Sequence, residues 1–201
     1  MSSPQVVVFG PAILERIVQA VEAVRERLRR ATAALENAKV NYAVVGGNAV
    51  MAWVASKDKA AIRFTPDVDL LLRKSDMGAA AAALATVGFI QNARLGVDMF
   101  LDGPNASPRD AVHVLFAGEK VKTHDPVPAP DVAEVDKSVG EGFRVLALEP
   151  LVRMKLTAHR LKDQVHIQDM IAVELIDQSW VARFPPELAG RLQKILDNPT
   201  G

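Results

Sequence analysis

The most constraining feature of the sequence is a short apolar run that stops at two consecutive glycines. The run covers residues 42–45 and ends at Gly46-Gly47. That order predicts a buried strand entering a tight turn. Residues 48–55 then have the pattern of a helix, with Asn48 as its N-cap. Because glycine has no side chain, the backbone N–H groups of this turn can approach a phosphate at the start of the helix.

A second strand is predicted at residues 67–72, and it opens with two carboxylates. Asp67 and Asp69 are separated by one residue, so their side chains project from the same face of the strand. Two neighbouring carboxylates repel each other when they are partly buried, and a cation offsets that repulsion. Mg²⁺ takes oxygen ligands and keeps waters and substrate phosphates in its shell. The pair therefore predicts a site for Mg²⁺ or Mn²⁺.

Each half of this arrangement has an ordinary interpretation of its own. A lone Gly-Gly is mostly a plain turn, and a lone Asp-x-Asp is mostly a solvated strand edge. The complete order of strand, glycine turn, helix and carboxylate-bearing strand is more specific than either half alone.

That order resembles the minimal nucleotidyltransferase pattern, in which a Gly-Gly or Gly-Ser turn precedes Arg-x-Thr-x-Asp-hydrophobic-Asp. Residues 63–69 of this chain are Arg-Phe-Thr-Pro-Asp-Val-Asp. The match covers residues 42–72 and is closest to the bacterial AbiEii-type and related nucleotidyltransferase-like proteins, several of which are toxins in toxin–antitoxin pairs. Residues 155–169 weakly resemble the helices that follow the catalytic domain in that group.

The resemblance implies an enzyme that moves a nucleoside monophosphate from a nucleoside triphosphate to an acceptor, either RNA or protein. Asp67 and Asp69 would bind the metal and be catalytic. Arg63 would reach a phosphate, although a surface arginine is an equally good interpretation of that position. The residues expected to bind the nucleotide are Gly46, Gly47, Asn48, Arg63, Thr65, Lys155 and Lys162.

The sequence departs from the family pattern at the third carboxylate. Active members commonly place it on a later strand, and the corresponding stretch here is residues 111–116, with His113 where an Asp is expected. Histidine can act as a base, but it is a poor ligand for magnesium. His113 is therefore a catalytic candidate, with a packed or rim histidine as the alternative. Asp98 and Asp110 are the nearest other carboxylates in the sequence.

Four basic side chains recur at helical spacing in the C-terminal part of the chain. They are separated by four, three and four residues, and they are Lys155, His159, Lys162 and His166. On one continuous helix they would form a single basic stripe able to hold phosphates or an RNA backbone. Asp163 has the character of a cap that would break such a helix. A solvated helix face is the alternative interpretation of the same residues.

The elements along the chain predict an α+β fold: a small mixed sheet of the nucleotidyltransferase-like kind, flanked by helices. A long amphipathic helix runs from Gly10-Pro11 to about Lys39, and it packs on the domain's own core or on a partner helix. Residues 117–142 are rich in Pro, Asp and Gly and are expected to wrap the surface. The expected division is residues 1–148 for the α/β domain and 149–201 for a helical C-terminal extension.

Composition limits the function classes. Lys plus Arg and Asp plus Glu each number 24, so no overall charge favours nucleic acid or an anionic membrane. The chain has no cysteine, which excludes disulfides and fits a cytoplasmic location. The N-terminal segment does not resemble a signal peptide, and no apolar run is long enough for a transmembrane helix.

Three functions are therefore compared. The first is a metal-dependent nucleotidyltransferase, which the resemblance extends to a component of a toxin–antitoxin pair. The second is a degenerate member of the same fold that binds a nucleotide or an antitoxin-like partner without chemistry. The third is a helical adaptor, which rests only on the long first helix. A carboxylate beside Asp67 and Asp69 favours the first function, and a histidine alone favours the second.

Overall fold

The structure is a computed structural model that describes residues 10–94, 97–140 and 142–198. Short 3-10 helices occur at residues 59–61, 74–76, 108–110 and 178–183. The α-helices are α1 (Pro11–Asn37), α2 (Gly46–Lys57), α3 (Met77–Ala85), α4 (Leu148–Ala158), α5 (Leu161–Ala172) and α6 (Pro186–Asp197). The strands are β1 (Tyr42–Val45), β2 (Val68–Leu72), β3 (Ile90–Arg94), β4 (Val97–Leu101), β5 (Ala111–Phe116), β6 (Val135–Asp136) and β7 (Val145–Leu146).

The strands form one seven-stranded mixed sheet in the order β3-β4-β5-β2-β1-β7-β6. β2 runs antiparallel to β1 and parallel to β5. β4 is antiparallel to both β3 and β5. The mixed sheet with helices on its faces confirms the α+β fold expected from the sequence.

The two faces of the sheet bury different helices. On one face, Val44 and Leu70 pack with residues of α1 and α3. On the other face, Val45 and Leu71 share a core with α2 and with the three C-terminal helices, α4 to α6. Because side chains alternate along a strand, Asp69 lies on the same face as Leu71, which is the face that the C-terminal helices cover. The division at residue 148 remains a prediction.

The first helix is buried over only part of its length. Its apolar stripe meets the sheet and α3 through Val24, Leu28 and Leu35. Toward the N-terminus the same stripe continues into solvent, where Leu14 is 54% and Val18 60% exposed. The packing of α1 on the protein's own core is therefore confirmed for its C-terminal half.

Two local predictions differ from the structure, and one strand was not predicted. α2 begins at Gly46, with Val45 as its N-cap, so Asn48 lies in the first turn and is not the cap. The strand β3, with the sequence Ile-Gln-Asn-Ala-Arg, was not predicted, because three of its five residues are polar and the two apolar ones do not alternate with them. Residues 117–142 do not only wrap the surface, since Asp125 and Val132 are buried.

Within the described part of the chain, no helix is both long enough and apolar enough to cross a bilayer.

Candidate functional site

The glycine pair and the carboxylate pair meet at one edge of the sheet. Val45, the last residue of β1, is the register partner of Asp69, so Gly46 lies beside Asp69. Gly46 has a φ of +68°, and a Cβ atom there would overlap with the Asp69 carboxylate. A Cβ atom on Gly47 would lie 2.7 Å from the hydroxyl oxygen of Thr65. Both positions therefore require glycine, because a side chain would displace the neighbouring polar group.

Asn48 joins the turn to the second strand. Its side chain is buried, and its Nδ2 donates a hydrogen bond of 2.6 Å to the backbone carbonyl oxygen of Asp67. Asn48 thus holds the segment that presents Asp67, which is a different role from the N-cap expected for it.

The N-terminus of α2 opens into the site. Val45, Gly46 and Gly47 line a cavity there. Within the described residues, no side chain accepts a hydrogen bond as a cap of this helix. The first backbone N–H groups of a helix have no partner inside the helix, and they carry partial positive charge. This terminus can therefore donate to an anionic group in the cavity.

The cavity has a volume of about 390 Å³ and lies between the sheet and the C-terminal helices. Its polar end contains Gly46, Gly47 and the carboxylates of Asp67 and Asp69. Its other end is largely apolar and is formed by β5, α4 and the segment after β5. Basic side chains of α4, α5 and their connection border the polar end, and they are Lys155, Arg160 and Lys162.

A buried ion-pair network fixes two of these cations. The Asp163 carboxylate is fully buried and accepts hydrogen bonds from Lys155 Nζ at 3.1 Å and from Arg160 Nε at 2.7 Å. Burial lowers the pKa of Lys155, although the charge and hydrogen bond of Asp163 oppose this effect. Burial would raise the pKa of Asp163, but Arg160 and Lys155 outweigh it and leave that pKa below its ordinary value. One carboxylate therefore holds two cations at the wall of the cavity.

Lys162 reaches the carboxylate pair directly, with its Nζ 3.4 Å from Asp67 Oδ2. The pKa of Asp69 is raised most strongly by burial, and the charge of Asp67 also raises it. The charge of His113 lowers this pKa, and those of Lys155 and Lys162 lower it more weakly. The net direction is upward, so burial and the charge of Asp67 disfavour the ionised form of Asp69, and an additional cation would favour that form.

His113 stands directly beside Asp69. The two residues are register partners in the parallel β2–β5 pair, and His113 Nδ1 lies 3.9 Å from Asp69 Oδ1. Each side chain is 24% exposed. The structure therefore brings His113 to the position that the resemblance assigns to a third carboxylate.

The two other carboxylates considered from the sequence lie elsewhere. Met99 is the register partner of His113, so Asp98 points to the opposite face of the sheet. Asp110 accepts a hydrogen bond of 3.3 Å from Arg27 of α1, also away from Asp69. Neither Asp98 nor Asp110 supplies the third carboxylate.

Arg63 is engaged by a carboxylate of α5. Its Nε and Nη2 atoms each donate a 3.0 Å hydrogen bond to Asp169. This bidentate pair ties the loop before β2 to the C-terminal helices. The structure therefore favours a positioning contact for Arg63 over the phosphate contact expected from the resemblance.

The basic stripe of the tail is divided into two parts. α4 ends at Ala158, His159 adopts a left-handed conformation with φ of +46°, and α5 starts at Leu161. Lys155, Lys162 and His166 line the cavity, whereas His159 is not part of the described lining. Asp163 does mark the break, but as the third residue of α5 in a capping box and not as its N-cap.

The donor set fits Mg²⁺ or Mn²⁺ only as a two-carboxylate site. Among the described residues, no group of three or more His, Asp or Glu side chains is arranged to hold a metal ion. Magnesium is commonly bound by one or two carboxylates, with waters and substrate phosphates as its remaining ligands. Asp67 and Asp69 beside an uncapped helix N-terminus meet that requirement.

The overall fold is similar to that of known nucleotidyltransferases. The solution structure of the antibiotic-resistance factor ANT(2'')-Ia is 12% identical with a TM-score of 0.51, and the alignment covers 89% of this chain and 91% of that one. Its crystal structure in complex with adenylyl-2''-tobramycin is 14% identical with a TM-score of 0.51, covering 92% and 99%. An antigenic nucleotidyltransferase-like protein from Paracoccidioides brasiliensis is 18% identical with a TM-score of 0.47, covering 86% and 85%.

At these identities the likeness shows the fold alone, and the chain has a nucleotidyltransferase-like fold. No protein-family model matches the sequence. No curated protein matches it either.

Sequence reasoning missed several residues of the cavity. Arg160 and Asp163 were not assigned to the site, because a charged run at a helix start has the pattern of a solvated face. Asp125 was missed because its segment has a loop composition. Its only local signal is that it is an acidic residue within a Pro-rich segment, which is too common to indicate a site.

Proposed function

We propose that this protein is a nucleotidyltransferase that binds a metal–nucleoside triphosphate complex in the cavity and transfers the nucleoside monophosphate to an acceptor hydroxyl group. The observation that carries the proposal is the contact of Gly46 and Gly47 with Asp69 and Thr65. It brings the N-terminus of α2 beside the carboxylate pair, so anion donors and metal ligands share one place. This is the combination that phosphoryl transfer requires.

Each residue has a defined part in this reaction. Asp67 and Asp69 would hold the metal, which when bound supplies charge neutralisation to the phosphates. The N–H groups of Gly46 and Gly47 donate to the triphosphate, and Lys155 and Lys162 offset its remaining charge. Asn48 and Thr65 keep the two segments in register.

The transfer step breaks one bond and forms another. The acceptor oxygen attacks the α-phosphorus, and the bond from that phosphorus to the oxygen shared with the β-phosphate breaks, so that pyrophosphate leaves. The proton of the acceptor hydroxyl passes to a base. His113 is the candidate base because its imidazole is beside Asp69 and a neutral imidazole can accept a proton.

Label transfer tests the proposal. The protein is incubated with each α-labelled triphosphate, Mg²⁺ or Mn²⁺, and either total RNA or total protein of a bacterial cell. Label in the RNA or protein fraction, lost in Asp69→Asn, supports the proposal. An acceptor of either class is compatible with the site, and the resemblance over residues 42–72 extends the proposal to a toxin role that an antitoxin partner would neutralise.

A nucleotide-binding module without chemistry is the second candidate. It is favoured by one observation, which is that a histidine and not a carboxylate is the partner of Asp69 on β5. In that case the protein binds metal–nucleotide as the first candidate does, but no acceptor becomes labelled.

A further inference from the structure

The cavity extends from the carboxylate pair along the sheet to an apolar end. β2 runs from the level of Asp69 to Leu72, which is three residues or about 10 Å at the rise of a strand. There the backbone N–H of Ala117 donates to the carbonyl of Leu72. The distance is comparable with that from the α-phosphate of a nucleotide to the far edge of its base. The apolar side chains of this end are Leu115, Val121, Val127, Pro128, Ala129 and Met154.

The segment that closes this end is held in place by backbone hydrogen bonds. Gly118 N donates to Ala129 O at 3.1 Å, and Ala129 N donates to Glu119 O at 2.9 Å. These hydrogen bonds join the two ends of the loop that contains Asp125. The loop is therefore a fixed wall of the cavity.

Asp125 is the one acidic side chain in this wall among the described lining residues. It is only 6% exposed. Its Oδ2 accepts a 2.8 Å hydrogen bond from the backbone N–H of Lys122, and within the described residues Oδ1 has no hydrogen-bond or ion-pair partner. Oδ1 is not among the fully buried side-chain atoms that lack a hydrogen-bond partner, so it is accessible from the cavity that Asp125 lines. A ligand in the cavity can supply a donor to it.

We propose that the apolar end of the cavity is a nucleobase subsite and that Asp125 selects bases that carry an exocyclic amino group. The inference rests on the proposed function. Adenine, guanine and cytosine each carry an exocyclic amino group that can donate a hydrogen bond, whereas uracil has no amino group, and its ring N3–H lies between two carbonyl oxygens. A carboxylate that accepts from this N3–H has a carbonyl oxygen on either side of the contact, and the repulsion between these acceptors and the carboxylate of Asp125 disfavours uracil.

The test is the ranking of the four nucleoside triphosphates by isothermal titration calorimetry with Mg²⁺ and the 201-residue chain. In the natural protein, UTP should bind at least about tenfold more weakly than ATP, GTP or CTP. In Asp125→Asn, the amide oxygen can still accept from Lys122 N, and the amide nitrogen now offers a donor to the base. The variant should therefore gain UTP affinity and lose affinity for the other three.

A matched control is Asp58→Asn. Asp58 also accepts a backbone hydrogen bond within a turn, from Ala60 N at 2.8 Å, but it is exposed and is not among the described residues of the cavity wall. Its substitution should leave the ranking unchanged.

The outcomes separate the inference from the proposed function. If all four triphosphates bind equally to the natural protein, and Asp125→Asn leaves their ratios unchanged, the base subsite is overturned while nucleotide binding stands. If no triphosphate binds, the proposed function and the subsite fail together. The ranking in the natural protein decides the inference even if Asp125→Asn does not fold.

Discussion

His113 and Asp69 lie side by side on neighbouring parallel strands, with 3.9 Å between Nδ1 and Oδ1. The backbone thus presents a third side chain to the carboxylate pair, as the resemblance predicts, but that side chain is an imidazole. An imidazole can take a proton from an acceptor and contributes little to magnesium binding. The chemistry of the site therefore depends on whether His113 acts as a base or only occupies the place of a third metal-binding carboxylate.

His113→Asp should strengthen magnesium binding in the presence of a triphosphate by about tenfold or more, since unit charges 4 Å apart interact by about 4 kcal/mol near a protein surface. Calorimetric titration of Mg²⁺ measures this effect, with His113→Asn as the uncharged control. Unchanged affinity in His113→Asp would place the position out of reach of the metal. Loss of label transfer in His113→Asp, from an active natural protein, would identify the histidine as the working base.

Asp67→Asn and Asp69→Asn should each weaken metal-dependent nucleotide binding by at least about tenfold, because these two carboxylates are the acidic ligands that the described residues bring to the site. Calorimetry with a non-hydrolysable triphosphate, with and without Mg²⁺, measures the loss. Asp76→Asn is the control, since within the described part of the chain Asp76 bonds with the neighbouring Ser75 side chain and with backbone, away from the carboxylate pair. Equal affinity of both site variants and the natural protein would remove the site.

His166 gives the ligand-free protein a defined pH dependence. Burial first, and then the charge of Lys155, lower its pKa from 6.5 to about 4. The folded state therefore favours the neutral ring, and the unfolded chain binds the proton more readily between pH 6.5 and 4. The stability that this ring contributes is complete above pH 6.5, decreases as the pH falls, and is lost below about pH 4.

Between pH 7 and pH 4.5, the free energy of unfolding of the natural protein should fall by about 1–3 kcal/mol more than that of His166→Gln. Urea denaturation at several pH values measures it. His124→Gln, at an exposed histidine, should leave the profile close to that of the natural protein. Parallel profiles for His166→Gln and the natural protein would mean that the ring is solvated in solution.

The local parts of the site could be predicted from the sequence. The strand at residues 42–45, the glycine turn and the two carboxylates lie within 28 residues of one another. The periodicity of strands and the conformational freedom of glycine act over that range. His113 could be predicted as well, since a regular strand fixes which residues face the edge.

The contacts with the C-terminal helices could not be predicted. Lys162 meets Asp67 across 95 residues, and Arg63 meets Asp169 across 106. From one sequence, such side chains are indistinguishable from solvated charges, because pairing depends on how the helices dock. Asp163 was recognised by its capping character, but its burial between Lys155 and Arg160 is a property of the tertiary packing.

The glycines provide the last prediction. Gly46→Ala places a Cβ at φ +68°, a strained conformation for alanine, and against the Asp69 carboxylate. The strain alone costs about 1–2 kcal/mol, and displacement of Asp69 adds to it, so the free energy of unfolding should fall by about 2–4 kcal/mol. Nucleotide binding should be lost even below the melting temperature, because the carboxylate moves away from the N-terminus of α2.

Gly78→Ala is the matched control within the same protein. Gly78 lies in α3, and a Cβ atom there meets nothing within 4 Å. Alanine lowers the conformational entropy of the unfolded chain and favours the helix, so this variant should gain up to about 1 kcal/mol. Urea denaturation and triphosphate titration of both variants separate the two effects. A Gly46→Ala protein that binds nucleotide as well as Gly78→Ala does would mean that the contact between Gly46 and Asp69 has no part in the site.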